Sequence, residues 1–217
     1  MTRQSLMKAS ALSAWALVLG WLALHVDLKP KVQLHRDIVI LNDGVNDDGM
    51  LAMLQTFLAQ RFGLPVRIER NFVDLSAALR PARRQWDYSL MLAAVFERVR
   101  GTGRCVLLTG KDTFGFGLNW STGIARCNGT TAVVSVCRLN PAFWGDAEDR
   151  PLHHKRARKI VLHELGHTFG RLDHCDDWNC AIHGSNSIGD IDRTGENYCP
   201  RCDALARAPI AAIRGKP

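Results

Sequence analysis

Apolar residues recur along the chain in two rhythms, and from residue 37 onward these rhythms alternate. Asp37-Ile-Val-Ile-Leu41 is a β-branched apolar run followed by a polar turn over 42–49, the pattern of a buried strand and its exit. Met50, Leu51, Leu54 and Leu58 fall at helical spacing and predict a helix over 50–62, ending before Gly63. Residues 65–69 alternate as a half-buried strand, 87–99 as an amphipathic helix, and 105–109 as another buried strand. Residues 118–125 and 131–139 predict two further strands joined through the Asn128-Gly129 turn. After a loop over 141–149, Asp149 as cap and Pro151 in the first turn predict a long helix running to Gly170. Strands alternating with helices, then one long helix and a cysteine-rich segment, indicate an α/β (α+β) fold: a twisted, mostly parallel mixed sheet with helices packed on it. From Asp203 the pattern weakens, so the domain is expected over 31–204 and a peripheral tail over 205–217.

The N-terminus follows another logic. A short basic segment with Arg3 and Lys8 precedes the stretch Ala9–Val26, apolar apart from two serines and His25. That is the layout of a signal peptide or signal anchor over 1–30. Eighteen residues is close to the shortest span of a bilayer. No small-x-small cleavage site follows, which favours an uncleaved anchor and a membrane-anchored or exported protein. A helix belonging to the domain itself is the alternative, and would make the chain cytoplasmic. The net charge of +7 is spread rather than gathered into an arm, so no nucleic-acid partner is expected and a monomer is the simplest state.

The chemistry concentrates in His163-Glu164-Leu165-Gly166-His167. Residues four apart on a helix share a face, so His163 and His167 can present two imidazoles to one zinc ion. Glu164, beside the first, can act as general base towards a zinc-activated water that attacks a peptide carbonyl. Ile160, Val161, Leu162 and Leu165 embed the helix in a core, where histidines and a glutamate need partners. Gly170 lets the chain turn back and offer a third ligand, either Asp173 or His174; the cysteine that follows favours His174. Of seven cysteines, Cys175, Cys180, Cys199 and Cys202 form two pairs at metal-site spacing, for which a structural zinc competes with disulfides or a redox pair. Cys105, Cys127 and Cys137 read as ordinary buried thiols. His153 and His154 belong to a solvated, basic helix start, His183 reads as an exposed loop residue, and Tyr198 is a candidate donor to a tetrahedral intermediate.

His174-Cys175 followed by Cys180, Cys199 and Cys202, together with the pentad, resembles the archaemetzincin family of zinc metallopeptidases. Ser185-Asn186-Ser187, Phe116-Gly-Leu-Asn119 and Val133-Val-Ser135 add to the likeness. The resemblance implies a metzincin-like zincin fold with an active-site helix and a cysteine-rich C-terminal zinc-binding segment. It also implies two zinc ions per chain, one catalytic (His163, His167, His174) and one structural (Cys175, Cys180, Cys199, Cys202), and a peptide or protein substrate. The chain departs from the family in two places: 170–175 is one residue longer, and Ile182 stands where the family has the methionine that floors the site. The alternative function is a zinc-stabilised peptide-binding module without catalysis, which would have no need of Glu164.

Overall fold

The computed structural model describes residues 31–115, 117–171 and 173–215; the apolar segment 9–26, and the anchor read from it, lie outside them. Ten strands follow in order: β1 (Val32–Leu34), β2 (Ile38–Asp43), β3 (Val66–Arg70), β4 (Leu79–Arg80), β5 (Gln85–Asp87), β6 (Val99–Gly101), β7 (Arg104–Thr109), β8 (Thr113–Phe114), β9 (Gly123–Ala125) and β10 (Thr131–Ser135). The helices are α1 (Asp48–Phe62), α2 (Tyr88–Arg98), α3 (Arg150–Thr168), α4 (Ile188–Arg193) and α5 (Pro200–Arg214). Among these residues no helix is long and apolar enough to cross a membrane.

The main sheet has the order β3-β2-β7-β10-β9. Its first four strands are parallel, and β9 closes one edge antiparallel to β10 through Ala132↔Ala125, Val133↔Ile124 and Val134↔Gly123. Successive side chains of a strand point to opposite faces, and here both faces are covered. Ile38, Ile40, Val106, Leu108, Ala132 and Val134 meet residues of α1, α3 and α5. Val39, Leu41, Cys105, Leu107 and Val133 meet Met91 and Val95 of α2 and Val32 and Leu34 of β1. Burial on both sides is why these strands read as unbroken apolar runs.

Three readings are corrected. The strand expected over 118–125 shrinks to three residues, because Ser121 already bonds across to Thr113. The segment from Asp203 is no peripheral tail. It continues α5, which buries Cys202, Ala206, Ile210 and Ile213, and 205–214 belongs to the same unit as 31–204. Pro209 inside this helix disguised the pattern, since a proline removes one helical donor. The basic start of α3 is likewise only partly solvated: Arg150 and Lys155 are exposed, but Arg156 and Lys159 are not. Lys159 is buried with its ammonium on the carbonyls of Ile191, Asp192 and Thr194, and Arg156 grips Asp192 with two hydrogen bonds of 2.8 and 2.6 Å.

One carboxylate joins two helix starts. Asp47 caps α1 by accepting from the Met50 N–H at 2.9 Å, while its other oxygen meets His154 Nε2 at 2.8 Å and Arg150 donates from α3. Burial raises the pKa of Asp47, but these hydrogen bonds outweigh it and bring it down to about 2. A carboxylate with a depressed folded pKa stabilises above its unfolded value, about 3.9, and loses that contribution as pH falls towards the folded one. Asp47→Ala should therefore cost about 1–2 kcal/mol at neutral pH, with the gap from the parent closing between about pH 4 and 2. Thermal melts across that range measure it.

Candidate active site

The long helix α3 carries the pentad into the core. Its start is set by the Asp149 side chain, which accepts from the Leu152 N–H at 2.9 Å, with Pro151 in the first turn. Past its end, Gly170 takes φ +106°, and the chain turns back to bring His174 over the helix. The side-chain donor atoms of His163, His167 and His174 all lie within 4.8 Å of one another, with ring centroids 4.9, 5.1 and 5.3 Å apart. Asp173, the rival to His174, is exposed and stands outside this group.

Hydrogen bonding settles which nitrogens face inward. His163 Nδ1 lies 2.8 Å from the Ala181 carbonyl, and His167 Nδ1 lies 2.8 Å from that of Arg171. A carbonyl only accepts, so each Nδ1 carries the hydrogen and each Nε2 a bare lone pair. Those two Nε2 atoms sit 3.1 Å apart. Two lone pairs at that separation repel unless a cation lies between them. Tetrahedral zinc–nitrogen bonds of about 2.0–2.1 Å would set ligands about 3.3 Å apart. Burial lowers the pKa of all three imidazoles, that of His163 to about 3 with help from His167, leaving them in the neutral form a metal needs. The donor set fits zinc.

Glu164 is buried, and burial pushes its carboxyl up to about 8. It faces the edge strand so closely that a Cβ on Gly123 would stand 2.4 Å from Oε1 and 2.8 Å from Cδ. A cleft of about 350 Å³ opens here between β9 and α3, bordered by Tyr88, Gly123, Glu164, His167, His174 and Asn186. Cys127 borders it too and is exposed, contrary to its reading as a buried thiol. Sequence reasoning missed Gly123 and Tyr88. A glycine inside a strand marks close approach and was a usable signal for the first; nothing in the sequence pointed to the second.

The second cluster lies directly beyond. Cys175, Cys180, Cys199 and Cys202 are unbonded thiols whose sulfurs all fall within 4.8 Å of one another, and the Cys175–Cys199 sulfurs are 3.8 Å apart. Four thiolates at about 2.3 Å from a tetrahedral zinc would be about 3.8 Å from each other. The Cys199 N–H donates to the Cys180 sulfur at 3.3 Å. Cys175 donates its backbone N–H to Ile182, closing a loop whose Ala181 carbonyl holds His163. Ile182 itself packs under α3 at Gly166. Tyr198, expected to reach a reaction intermediate, is buried and donates to the Leu162 carbonyl at 2.7 Å instead. His183 stacks on Trp178 at 3.8 Å and is half-buried rather than exposed.

Comparison with known proteins agrees with this geometry. The model of peptidase family M54 matches residues 79–207. The archaemetzincin of Pyrococcus abyssi is 33% identical over 172 residues, covering 76% of this chain and 91% of the relative. That of Methanopyrus kandleri is 42% identical over 116 residues, 52% of this chain and 62% of the relative. Among solved structures, the Archaeoglobus fulgidus archaemetzincin complexed with malonate superimposes with a TM-score of 0.66 at 29% identity, covering 78% of this chain and 99% of the other. The Methanopyrus kandleri archaemetzincin gives 0.68 at 29% identity, with 81% and 96% covered.

A Cβ at residue 166 would stand 1.9 Å from Ile182 Cδ1. Gly166→Ala should therefore destabilise by about 1–3 kcal/mol despite its better helix propensity. Adding Ile182→Val, which removes that methyl, should recover most of the loss, and a double-mutant cycle in urea measures the coupling.

Proposed function

The chain belongs to peptidase family M54 and is a zinc metallopeptidase, and we propose that Glu164 is its general base, with His163, His167 and His174 as the catalytic zinc ligands. The observation that carries the reading is the pair of Nε2 lone pairs converging 3.1 Å apart beside a buried carboxyl. Zinc, when bound, supplies Lewis acidity, lowering the pKa of water and polarising the substrate carbonyl. The charge of a bound cation would favour the ionised form of Glu164 against its burial, and the carboxylate would then take a proton from the attacking water and return it to the departing amine. Gly123 leaves room for that carboxylate, and it lies on β9, the edge strand of the main sheet, which pairs on its outer side with no other strand among the described residues. A peptide adding to this edge would lie alongside Glu164, and antiparallel addition is the more stable arrangement per residue.

A second zinc on the four cysteines gives two ions per chain, and its role is to hold the loop whose Ala181 carbonyl orients His163. Residues 9–26 are read as a membrane or export signal for a domain that acts as a monomer.

Glu164→Gln should lower kcat about a hundredfold to ten-thousandfold with KM little changed and two zinc ions per chain retained by elemental analysis. A single zinc, held by cysteines alone, would sink the enzyme reading. Gly123→Ala should displace the carboxylate and lower kcat by up to about a hundredfold, with metal content and melting temperature near those of the parent.

A further inference from the structure

One residue of the cleft has no part in the zinc chemistry. Tyr88, at the start of α2, is 3% exposed, yet it borders the cleft together with Ser121, Gly123 and Glu164. Asp87 caps that helix by accepting from the Ser89 N–H at 2.9 Å, and it lies in register with Phe114 of β8. The ring packs on Gly115, where a Cβ would stand 2.6 Å from Cε1 and 2.7 Å from Cζ. The phenol is thereby seated in one place.

Its hydroxyl reaches β9 through a single intermediary. Tyr88 hydrogen-bonds the Ser121 side chain, and Ser121 Oγ donates to the Gly123 carbonyl at 3.2 Å. A serine hydroxyl has one hydrogen to give. With that hydrogen on Gly123, Tyr88 is the donor, so the relay runs from Tyr88 to Ser121 to Gly123. The Ser121 backbone is held as well. Its N–H donates to the Thr113 carbonyl at 2.9 Å, and its carbonyl accepts from Thr113 Oγ1 at 2.5 Å.

The ladder shows which side of Gly123 the relay touches. The Ser135 N–H donates to the Thr122 carbonyl, the Arg126 N–H donates to that of Thr131, and Ile124 faces Val133. In an antiparallel pair, residues that exchange hydrogen bonds alternate with residues that do not. Residues 122, 124 and 126 therefore turn their backbone groups to β10, and Gly123 turns its own outward. Thr113 takes the outward groups of Ser121, so Gly123, on the cleft, is the next position on that side. A carbonyl has two lone pairs. The Ser121 hydroxyl takes one and fixes the tilt of the other.

We propose that Tyr88 and Ser121 are positioning residues: through the Gly123 carbonyl they set the register and tilt in which an extended peptide backbone pairs with β9. The proposal rests on the reading of the chain as a zinc peptidase that receives substrate along β9.

The test measures, by calorimetry on the zinc-loaded chain, the affinity of acetohydroxamate and of two hydroxamates that carry trialanine before or after the metal-binding group. The margin by which the tighter trialanine probe exceeds acetohydroxamate reports backbone pairing alone. Tyr88→Phe or Ser121→Ala should each cut that margin by about threefold to tenfold. Acetohydroxamate affinity, zinc content and melting temperature should stay near those of the parent. The double variant should lose no more than the larger single loss, because both hydroxyls serve one relay. A margin unchanged in both single variants, or losses that multiply in the double, would overturn the proposal. A parent that binds all the probes equally would overturn it too, by removing β9 as the receiving strand. A margin lost in the variants of a chain that hydrolyses no peptide would support the relay and remove the peptidase reading beneath it.

Discussion

Two backbone carbonyls, those of Ala181 and Arg171, accept the Nδ1 hydrogens of His163 and His167, and the geometry of the cleft follows from the nitrogens they leave bare. An imidazole free to rotate would present either nitrogen, protonated or not. Pinned in this way, both rings aim a lone pair at one point. The two acceptors come from different places for different reasons. Arg171 is in position because Gly170 can adopt a left-handed turn directly after α3. Ala181 is in position because it lies between Cys180, one of four gathered thiols, and Ile182, which is wedged against Gly166. The cysteine cluster therefore bears on how His163 is aimed, through the Ala181 carbonyl beside it.

The helix α3 works along its whole length. Its start shares Asp47 with α1, and its middle binds the segment after Cys180 through Arg156 and Lys159. Its end presents the pentad. Lys155 and Arg158 also pair with Glu196 on that segment, so four basic residues within 155–159 fasten the wall that carries Asn186 to the cleft. Arg156 and Lys159, which are buried and multiply bonded, fix one arrangement, because breaking either strands a charge.

How much of this could be read from the sequence depended on how local the signal was. The pentad, Gly170 and the paired cysteines are short-range patterns with fixed spacing, and the structure brings them together as expected, with His174 rather than Asp173 beside the two histidines. The alternating strands and helices of the main sheet were equally plain, since full burial writes itself as apolar runs. What escaped was set by distant partners. The two-residue strands β4 and β8 exist only because β5 lies between them. The α5 pattern Cys202, Ala206, Ile210, Ile213 is regular, but small residues and Pro209 concealed it. Arg156 and Lys159 read as solvated because their acceptors, carbonyls and a carboxylate over 191–194, are more than thirty residues away. Tyr198 was assigned to chemistry on proximity in sequence to Cys199, whereas its hydroxyl secures the backbone of α3.

The open edge of β9 has a consequence of another kind. A strand with unpaired N–H and C=O groups is a template for any extended chain, including another copy of the same protein. Here the exposed ladder is three residues long. Gly123 at one end has no side chain, and Arg126, beyond the other, stands against Phe96 with its guanidinium 3.9 Å from the ring. So brief an edge offers too few hydrogen bonds to nucleate a fibre. The same brevity that made the strand hard to see in the sequence lets this edge go without a further strand among the described residues.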